Sequence, residues 1–463
     1  MMKLDEGVVL TESIQGDTLT PISIYQKLGG SKKFLLESSL KHEDSGRYSF
    51  IGANPAFEIK GFQHETIIVK NGVEEMVQEK PLEVLKRYMP KIGVNEVEGI
   101  PFIGGAIGFV GYDVIRHYEK IGEAPRDDFA IPDVHFMMYE EIIAFDHLEQ
   151  KVHLVGLPLL ETTTEAVLMK RLQTRKKEIS ERDEVGEQPF TLTSFEAAMT
   201  KEQFMEKVRK AKEYIVEGDI FQVVLSQRMT AKMSGDPFSF YRKLRVQNPS
   251  PYMYYLDFED YIIAGASPES LIKATNNKVI TNPIAGTRPR GRTAEEDERL
   301  AEELKHDEKE LAEHQMLVDL GRNDIGRVSK FGTIKLEKYM EIEKYKHVMH
   351  LVSEVSGILT EKYSPLDALI ACLPAGTVSG APKIRAMEII NELEEVKRGV
   401  YSGAIGYLSA NGNMDFALAI RTMVMKGEDV YIQAGAGIVY DSVPEKEYQE
   451  TLHKLRAYLE DEK

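Results

Sequence analysis

The chain has 463 residues, of which 42% are hydrophobic and 29% charged, a composition typical of a globular protein with a sizeable core. Its formal net charge of −17 argues against the basic surface with which proteins bind nucleic acids or anionic membranes. The single cysteine, Cys372, excludes an intrachain disulfide and a zinc site made of cysteines. Because the first residues, MMKLDEGVVL, are too charged for a signal peptide, we expect a cytoplasmic protein.

The first region, residues 1–155, is predicted to be rich in strands. The tract FEIKGFQHETIIVKNGVEEMVQ alternates apolar and polar residues and contains Asn71-Gly72, a strong signal for a hairpin turn. The tract EEIIAFDHLEQKVHLVGL repeats this alternation around a polar turn. Between the two tracts, Pro81 is predicted to open a helix.

A polar, charge-dense stretch separates this region from the rest of the chain. We interpret residues 156–194 as a surface helix and a linker, and residues 195–463 as a further region. There, a helix is predicted from about Thr200 to Gly218, followed by the strand FQVVLSQRM. Strand and helix signals then mix without strict alternation, which predicts an α+β fold rather than a doubly wound sheet.

Several common catalytic signatures are absent from the sequence. The tract GAGIVY begins like a dinucleotide-binding loop, but Tyr440 stands where the third glycine is required. The tract GTVSGAPK lacks the spacing of a nucleotide-binding P-loop, and the motifs G-x-S-x-G and H-E-x-x-H do not occur. These absences argue against the common classical hydrolases, kinases and zinc proteases.

Two predicted helices each carry a pair of glutamates spaced i, i+3 on one face, away from an apolar stripe. The first helix begins near Thr293, is predicted to end at Gly321 and carries Glu310 and Glu313. Its apolar stripe consists of Leu300, Leu304, Leu311 and Val318.

The last helix repeats this arrangement with Glu447 and Glu450, and Lys454 follows one turn later. A capping box formed by Ser442 and Glu445 is predicted to start it. Glutamates away from an apolar stripe are usually just solvated, and this alternative stays open for each pair. The functional interpretation is a site for a hard cation such as Mg²⁺, which takes carboxylate oxygens and keeps several waters.

Three tracts rich in small residues, at 281–291, 374–383 and 433–438, could bring backbone N–H groups close to a bound anion. Each of them could instead be a tight turn or a crowded strand crossing. The tracts therefore indicate possible anion-binding backbone without proving it.

Three polar residues stand out from their surroundings. Arg421 lies in DFALAIRTMVM, which we interpret as one near-continuous buried strand, so its guanidinium needs a structural carboxylate or a substrate carboxylate as a partner. His350 and Glu269 are candidates for proton transfer. The alternatives are a structural histidine and a turn residue.

A series of tracts between Thr200 and Leu459 resembles, in the same order, those of the chorismate-utilising enzymes. This family includes anthranilate synthase large subunits, aminodeoxychorismate synthases, and isochorismate and salicylate synthases. The tracts are GDIFQVVLSQR, SPES, PIAGTRPRG, DEKELAEHQMLVDLGRND, HVMHLVSEVSG, PAGTVSGAPKIRAMEII, YSGAIGY, AIRTMV and QAGAGIVYDSVPEKEYQET. In the first region, LLESS at 35–39 and RYSFIG at 47–52 resemble the amino-terminal region of anthranilate synthases.

This resemblance implies a fold and a division of labour. The expected fold is α+β, with large antiparallel sheets packed with helices and two intertwined regions. Residues 1–155 would be a regulatory region, residues 156–194 the surface helix and linker, and residues 195–463 the chorismate-binding catalytic domain.

Two positions distinguish the members of the family. Aminodeoxychorismate synthases typically carry a lysine nucleophile where this chain has Ala285, and isochorismate and salicylate synthases carry a water-activating lysine where it has Gln222. Free ammonia needs neither lysine, so this combination resembles anthranilate synthase. The implied activity is a Mg²⁺-dependent carbon–oxygen lyase reaction in tryptophan biosynthesis, which converts chorismate and ammonia to anthranilate and pyruvate.

Three alternatives remain open. A 2-amino-2-deoxyisochorismate synthase would lack the elimination step, and an aminodeoxychorismate synthase component I would aminate the ring at another position. A catalytically inactive scaffold could keep the fold alone. Intact Glu269, His350, Arg421 and the two glutamate pairs argue against the scaffold.

The resemblance implies roles for the charged residues. Glu313 and Glu450 would hold Mg²⁺ on the ring carboxylate, and Glu310 and Glu447 would act directly or through water. Lys454 would add positive charge nearby.

The resemblance also implies a substrate pocket and catalytic groups. Tyr401 and Arg421, with the backbone of Gly435 and Gly437 in a QAGAG turn, would bind the enolpyruvyl carboxylate. The ring pocket would be completed by Ala285, Gly286, Thr287 and Thr377. Among the implied catalytic residues are the acid that protonates the leaving C4 hydroxyl, the group that assists pyruvate elimination and the residue at the lysine position, namely Glu269, His350 and Gln222.

Two further partners are implied. A separate glutamine amidotransferase subunit is expected to supply ammonia, since no such domain follows Lys463. L-Tryptophan is expected to act as a feedback inhibitor in a site that the LLESS and NPSPYM tracts line, although N-P-S-P also suits a structural turn. The residues of this site would be Glu37, Ser38, Pro249, Pro251, Tyr252 and Met253.

Overall fold

The computed structural model describes residues 9–39, 46–63, 65–90, 99–181, 183, 186, 188–345 and 348–459. The strands in these residues are β1 (Leu10–Gln15), β2 (Phe34–Glu37), β3 (Tyr48–Gly52), β4 (Phe57–Phe62), β5 (Glu65–Lys70), β6 (Val73–Val77), β7 (Gly105–Val110), β8 (Val134–Tyr139), β9 (Glu141–Asp146), β10 (Lys151–Gly156), β11 (Phe190–Leu192), β12 (Glu196–Ala197), β13 (Gln222–Gly235), β14 (Tyr252–Asp257), β15 (Ile262–Ser267), β16 (Ser270–Thr275), β17 (Lys278–Thr281), β18 (Ile284–Pro289), β19 (Lys335–Lys344), β20 (Val348–Ile358), β21 (Gly380–Ala381), β22 (Ala404–Ser409), β23 (Met414–Leu418), β24 (Thr422–Lys426) and β25 (Asp429–Ile438). The α-helices are α1 (Pro21–Lys27), α2 (Pro81–Tyr88), α3 (Glu165–Glu181), α4 (Lys201–Val216), α5 (Pro237–Gln247), α6 (Ala294–Lys305), α7 (Glu308–Gly326), α8 (Pro365–Cys372), α9 (Lys383–Leu393), α10 (Pro444–Lys454) and α11 (Arg456–Leu459).

The strands form two large sheets. Sheet one has the order β1-β10-β9-β3-β2-β14-β15-β24-β25-β13-β11, with β12 and β21 also paired to β13. Sheet two has the order β18-β20-β17-β16-β23-β22-β7-β8-β4-β5-β6, with β19 also paired to β20. Neighbouring strands in both sheets are antiparallel, which confirms the predicted α+β fold with large antiparallel sheets.

Both sheets combine strands from the two ends of the chain. In sheet one, β2 pairs with β14, so that Glu37 lies opposite Met253. In sheet two, β7 pairs with β22, so that Val110 lies opposite Ala404. Neither end could complete its sheets alone, and the two regions are intertwined as expected.

One large apolar core lies where the two sheets pack face to face. The ring of Phe50 in β3 meets the ring of Tyr407 in β22 edge to face, with centroids 5.7 Å apart. Phe102 lies within 4.9 Å of the same tyrosine ring and is fully buried. Burial of each such side chain stabilises the fold by roughly 1.5–3 kcal/mol. These aromatic contacts therefore help to hold the two sheets together.

Several local predictions are confirmed by the structure. Asn71 and Gly72 connect β5 to β6 with φ of 50° and 75°, as a two-residue hairpin turn requires. Helix α2 begins at Pro81 as expected. Thr200 caps α4 and forms a capping box with Gln203, which satisfies backbone donors of the first turn.

The helix predicted from Thr293 is two helices. Helix α6 ends at Lys305, and Asp307 then caps α7 by accepting hydrogen bonds from the backbone of Lys309 and Glu310. The prediction that Gly321 ends the helix is wrong, because α7 continues to Gly326. A Cβ at this glycine would lie 3.2 Å from Thr281, so the absent side chain allows close packing.

The cap of the last helix also differs from the prediction. Val443 is the N-cap of α10 and makes no side-chain cap, while Ser442 Oγ accepts a hydrogen bond from the backbone of Val439. Glu445 forms an ion pair with Lys201 of α4. Contacts with neighbouring elements therefore replace the expected capping box.

Candidate active site

The centre of the site lies where the chain crosses from one sheet to the other. Strand β15 of sheet one is followed by Pro268 and Glu269 and then by β16 of sheet two. Strand β23 of sheet two is followed by three residues, ending at Arg421, and then by β24 of sheet one. The interpretation of this second tract as one continuous strand is wrong, because a run of buried residues does not show that the chain changes sheets.

Backbone hydrogen bonds join the two crossings. The N–H of Leu418 donates to the carbonyl of Glu269 at 3.0 Å, and the N–H of Ala266 donates to the carbonyl of Arg421 at 3.0 Å. Arg421 has a φ of 49°, and the hydroxyl of Tyr458 also donates to its carbonyl. The fold thus holds an arginine in the left-handed region beside a glutamate, a strained conformation typical of functional sites.

The guanidinium of Arg421 lacks the structural carboxylate that we considered. Within the residues described, it donates no hydrogen bond and forms no ion pair. Burial lowers its pKa, while Tyr458 and Glu269 raise it to a smaller extent. A partly buried guanidinium without a counterion favours an anionic ligand, which the bidentate geometry of arginine suits.

Glu269 has the properties of a general acid. Burial raises its pKa to about 7, although the Thr377 hydrogen bond, Lys454 and Arg421 lower it. The hydroxyl of Thr377 donates to Glu269 Oε1 at 2.8 Å. A carboxyl group with this pKa is protonated in a large fraction of molecules at neutral pH, so it can donate a proton to a leaving group.

His350 is held in one tautomer. It lies in β20, and its Nδ1 donates to the carbonyl of Gly286 at 2.9 Å, with Thr287 Oγ1 at 3.1 Å. Gly286, with φ of 65°, is at a bulge in β18 that directs this carbonyl at the ring. Burial lowers the pKa of His350, so the imidazole is neutral and its Nε2 carries the lone pair that a base needs.

The QAGAG tract is a strand and not the expected turn. Gly435 and Gly437 lie in β25, and the pairing of β25 with β24 ends at Ile432 opposite Met423. A Cβ at Gly435 would lie 2.7 Å from the hydroxyl of Tyr401, and one at Gly437 would lie 2.6 Å from Gln222 Nε2. Both glycines therefore let a polar side chain approach the strand.

Gln222 connects the glycine strand to the first glutamate pair. Its Nε2 lies 3.3 Å from Glu313 Oε1 and donates a hydrogen bond to it, while its Oε1 is buried without a hydrogen-bond partner. A buried amide oxygen without a partner is uncommon in folded proteins.

Each glutamate pair brings two carboxylates close together. Burial raises the pKa of Glu310, and the neighbouring Glu313 raises it further. Burial likewise raises the pKa of Glu447, and Glu450 adds to this effect although Ser442 opposes it. Like charges held close in this way are stabilised by a bound cation.

The two glutamate pairs supply carboxylate oxygens, which are some of the ligands that a hard cation needs. Lys454 Nζ lies 2.8 Å from Glu450 Oε1 and donates to the carbonyl of Gly435 at 2.9 Å, so the second pair borders the glycine strand. No group of three or more metal-ligating side chains is assembled in the part of the chain that the structure describes. Two carboxylates per helix are nevertheless enough for Mg²⁺, which completes its shell with water and substrate oxygens.

The sequence and fold can be compared with those of known proteins. A family model described as chorismate binding enzyme matches residues 32–460. Over 99% of this chain, 50% of residues are identical to anthranilate synthase component 1 of Acetivibrio thermocellus, of which 96% is covered. The chain belongs to the anthranilate synthase component 1 family of chorismate-binding enzymes.

Further relatives support this assignment. Anthranilate synthase component 1 of Lactococcus lactis is 48% identical over 97% of this chain and 98% of its own length. The crystal structure of anthranilate synthase component I from Streptococcus pneumoniae matches with a TM-score of 0.80 and 46% identity, covering 96% of this chain and 99% of that one. The menaquinone-specific isochorismate synthase of Escherichia coli shares the fold at 18% identity, with a TM-score of 0.74.

The two tracts that the family resemblance associates with an effector lie side by side in this family member. Besides the pairing of Glu37 with Met253, the N–H of Ser39 donates to the carbonyl of Ser250 at 3.0 Å. Glu37 Oε1 accepts hydrogen bonds from Tyr241 at 2.7 Å and Arg245 at 2.6 Å. The tracts are adjacent even though more than two hundred residues separate them in sequence, and their binding role stays a prediction.

Sequence reasoning missed one group that shapes the chorismate-family site. Arg398 is almost fully buried, forms a bidentate pair with Glu394 at 2.7 Å and donates to the carbonyl of Val224 at 2.7 Å. Its guanidinium lies 5.5 Å from the centre of the Tyr401 ring. The guanidinium of Arg398 therefore packs against Tyr401, and the i, i+4 spacing of Glu394 and Arg398 is a signal for their pairing in the sequence.

Proposed function

We propose that this chain is the chorismate-binding subunit of an anthranilate synthase, which converts chorismate and ammonia to anthranilate and pyruvate. The observation that carries the proposal is the unpartnered guanidinium of Arg421 beside Glu269, whose pKa burial raises to about 7. Together they match a dianionic substrate that loses a hydroxyl group. The relatives named anthranilate synthase component 1 support the choice of reaction.

Arg421 and Tyr401 bind the enolpyruvyl carboxylate in this proposal. The guanidinium supplies the charge, and the edge of β25 beyond Ile432, which is not paired with β24, supplies backbone donors. Thr377 and the bulge at Gly286 complete the pocket around the ring. The carboxylate replaces the ion-pair partner that Arg421 lacks in the free protein.

Amination needs an acid rather than a protein nucleophile. Glu269 protonates the C4 hydroxyl so that water leaves while ammonia attacks C2. Ala285 and Gln222 can neither attack the ring nor activate water, so ammonia meets no competing nucleophile. Gln222 contributes its unpartnered amide oxygen as a hydrogen-bond acceptor for the incoming amine.

Elimination of pyruvate follows in the same site. The neutral imidazole of His350 accepts a proton through Nε2, because Nδ1 is already bonded to the carbonyl of Gly286. This proton comes from C2, the C3–O bond breaks with its electron pair and the ring becomes aromatic, and the released enolpyruvate takes up a proton to become pyruvate.

Mg²⁺ is the proposed cofactor, held by Glu313 and Glu450 with help from Glu310 and Glu447. When bound, it would neutralise the ring carboxylate and stabilise the charge that develops during the reaction. Lys454 is already paired with Glu450, so it adjusts the charge of this pair.

Partners and regulation belong to the same proposal. A separate glutamine amidotransferase subunit supplies ammonia, and L-tryptophan inhibits from a site at the Glu37 and Met253 strands. The reaction takes place in the cytoplasm, where the buried thiol of Cys372 stays reduced. No helix among the residues described is both long and apolar enough to span a membrane.

The purified chain tests the proposal directly. With chorismate, Mg²⁺ and an ammonium salt, it should form fluorescent anthranilate, and glutamine should replace ammonium only after an amidotransferase subunit is added. Consumption of chorismate without fluorescence would identify instead a synthase that stops at 2-amino-2-deoxyisochorismate. Glutamine-dependent turnover by the chain alone would contradict the two-subunit arrangement.

A further inference from the structure

A small polar cavity lies beside Glu269, between the start of β16 and the second half of α7. Its volume is about 40 Å³, and its lining includes Glu269, Ser270, Asn282, Asp324 and Thr377. One ordered water needs roughly 10–15 Å³ of such space, so the cavity has room for about two or three waters. A cavity lined by this many polar groups is expected to be hydrated.

One unpartnered oxygen lines this cavity. Asp324 is 5% exposed, and its Oδ1 has no hydrogen-bond partner among the described residues. Because buried polar atoms are almost always hydrogen-bonded, this oxygen points to water in the cavity.

The second carboxylate oxygen of Asp324 is paired with a lysine that lines another cavity. Its Oδ2 accepts a hydrogen bond from Lys383 Nζ at 2.7 Å. Lys383 also lines a second, larger cavity of about 320 Å³, together with Arg327 and Tyr118. Because Asp324 lines the smaller cavity and Lys383 the larger one, their ion pair lies between the two cavities.

We propose that waters in the smaller cavity form a proton relay through which Asp324 restores the proton of Glu269 while the substrate side of the site is occupied. The inference rests on the proposed function, because it requires Glu269 to be the acid. Asp324 would act as a positioning and relay residue that never touches the substrate.

The relay completes the proton balance of the amination step. Glu269 gives its proton to the C4 hydroxyl oxygen, the C4–O bond breaks with its electron pair, the C2–N bond forms and water leaves. The Glu269 carboxylate then takes a proton from a cavity water, which takes one from Asp324, and Asp324 is reloaded from solvent. The proton that the attached amine loses to solvent balances the one returned.

The surroundings suit this transfer. Burial raises the pKa of Asp324, while Lys383 and Arg327 lower it, so the carboxyl group can carry a proton transiently. Around Glu269 the facing groups are Thr377, Lys454 and Arg421. The proposed function places the substrate against Arg421, and the cavity that Glu269 shares with Asp324 is the polar route proposed for the returning proton.

Cys372 lines the same cavity and offers a matched pair of variants. Cys372→Leu fills the cavity with carbon and expels water, whereas Cys372→Ser keeps the volume and the polarity. Asp324→Asn removes the relay carboxyl group, but it leaves Lys383 without a counterion and could prevent folding. The Cys372 pair keeps the test valid in that case.

The measurement compares the first turnover with later ones in the full chain with Mg²⁺ and ammonium. Enzyme is equilibrated below pH 7 to protonate Glu269, mixed with chorismate and followed by rapid quench, first with enzyme in excess and then with substrate in excess. In Cys372→Leu and Asp324→Asn, we expect a first turnover within twofold of wild type and later turnovers slowed by about tenfold or more. Cys372→Ser should behave as wild type in both.

Other outcomes overturn the relay. Equal slowing of the first and later turnovers would make Asp324 and Cys372 structural residues, and unchanged later turnovers in Cys372→Leu would show that Glu269 is reloaded by another route. A different result would contradict the proposed role of Glu269 as the acid. If Glu269→Gln keeps full activity, the function of Glu269 is wrong, whereas an inactive Glu269→Gln with normal Cys372→Leu and Asp324→Asn leaves the acid intact and removes only the relay.

Discussion

The two sides of the candidate site are built in different ways. Glu269 and Arg421 lie on short segments that cross between the sheets and are tied together by backbone hydrogen bonds. The glutamate pairs lie on helices α7 and α10 and have partly exposed side chains, such as Glu450 at 46%. The fold thus sets the properties of the crossing residues in advance, whereas a ligand must complete the helical side.

This contrast predicts that variants at the crossings act on the chemical step itself. Glu269→Gln keeps the size and the Thr377 contact but removes the proton, so kcat should fall by about 10²–10⁴-fold, the usual contribution of a general acid. The steady-state rate of anthranilate formation measures this effect, with circular dichroism as the check on folding. Thr377→Val is the comparison and should cost less, because it removes the hydrogen bond to Glu269 and a polar group of the ring pocket but leaves the proton of the acid in place.

His350, which lies across the pocket on β20, should separate the two half-reactions. His350→Met keeps the bulk but removes the lone pair of Nε2, so pyruvate elimination should slow by about 10²-fold while chorismate consumption falls less. Chromatography should detect accumulating 2-amino-2-deoxyisochorismate. An equal loss of both steps, with no intermediate, would make His350 a packing or binding residue.

Variants of the glutamates on helices α7 and α10 should change the Mg²⁺ dependence of activity. Glu313→Gln or Glu450→Gln should weaken the apparent affinity for Mg²⁺ by at least about 10–100-fold, because each removes a negative ligand. A Mg²⁺ titration of activity at saturating chorismate measures the change. Glu445→Gln, on the same helix as Glu450 but paired with Lys201, is the control and should leave the titration unchanged. Normal Mg²⁺ dependence in both active-site variants would remove the proposed metal site.

The pH profile tests the buried side without a mutation. The pKa of Glu269 is raised to about 7, so the protonated acid is present below that pH and is lost above it. At a constant concentration of free ammonia, the rate should therefore fall about tenfold per pH unit well above pH 7. At constant total ammonium the growing fraction of ammonia compensates, and the rate should level off. A rate that keeps rising with pH at constant free ammonia would exclude Glu269 as the acid.

The smallest effect on catalysis is expected in the first region. Ser38→Phe places a ring in the proposed effector site next to the paired ends of β2 and β14, so inhibition by L-tryptophan should be lost with less than about a twofold change in kcat. Inhibition curves for wild type and variant measure this difference. Wild-type activity that is indifferent to millimolar tryptophan would leave these tracts a purely structural role.

Local rules explain the elements that were predicted correctly. The turn at Asn71-Gly72 follows from the tolerance of both residues for positive φ, and the start of α4 follows from the reciprocal capping of Thr200 and Gln203. The two glutamate pairs also follow from helical spacing alone. These features depend on residues within a few positions of one another, so neighbours in sequence suffice to predict them.

The errors concern residues whose environment comes from distant parts of the chain. The sequence pattern predicts a helix end at Gly321, but contacts with Thr281 and Pro283 make it a packing position inside α7. The resemblance implies a turn at the QAGAG tract, but pairing with β13 makes it a strand. In both cases the sequence correctly indicates a position for a small residue, but it does not show which distant residues pack against that position.

The sequence by itself determined the family, the α+β character and the residue types that the chemistry needs, because these are carried by motifs and local periodicity. Only the tertiary structure decided that Glu269 and Arg421 meet at adjacent sheet crossings, that the described residues offer Arg421 no counterion there, and that Asp324 and Glu269 line one cavity. A run of buried residues has the same sequence pattern whether the chain continues in one sheet or crosses to the other. Proximity between such segments is fixed by the packing of the two sheets, and burial in that packing raises the pKa of Glu269 to about 7, the range that the proposed general acid needs.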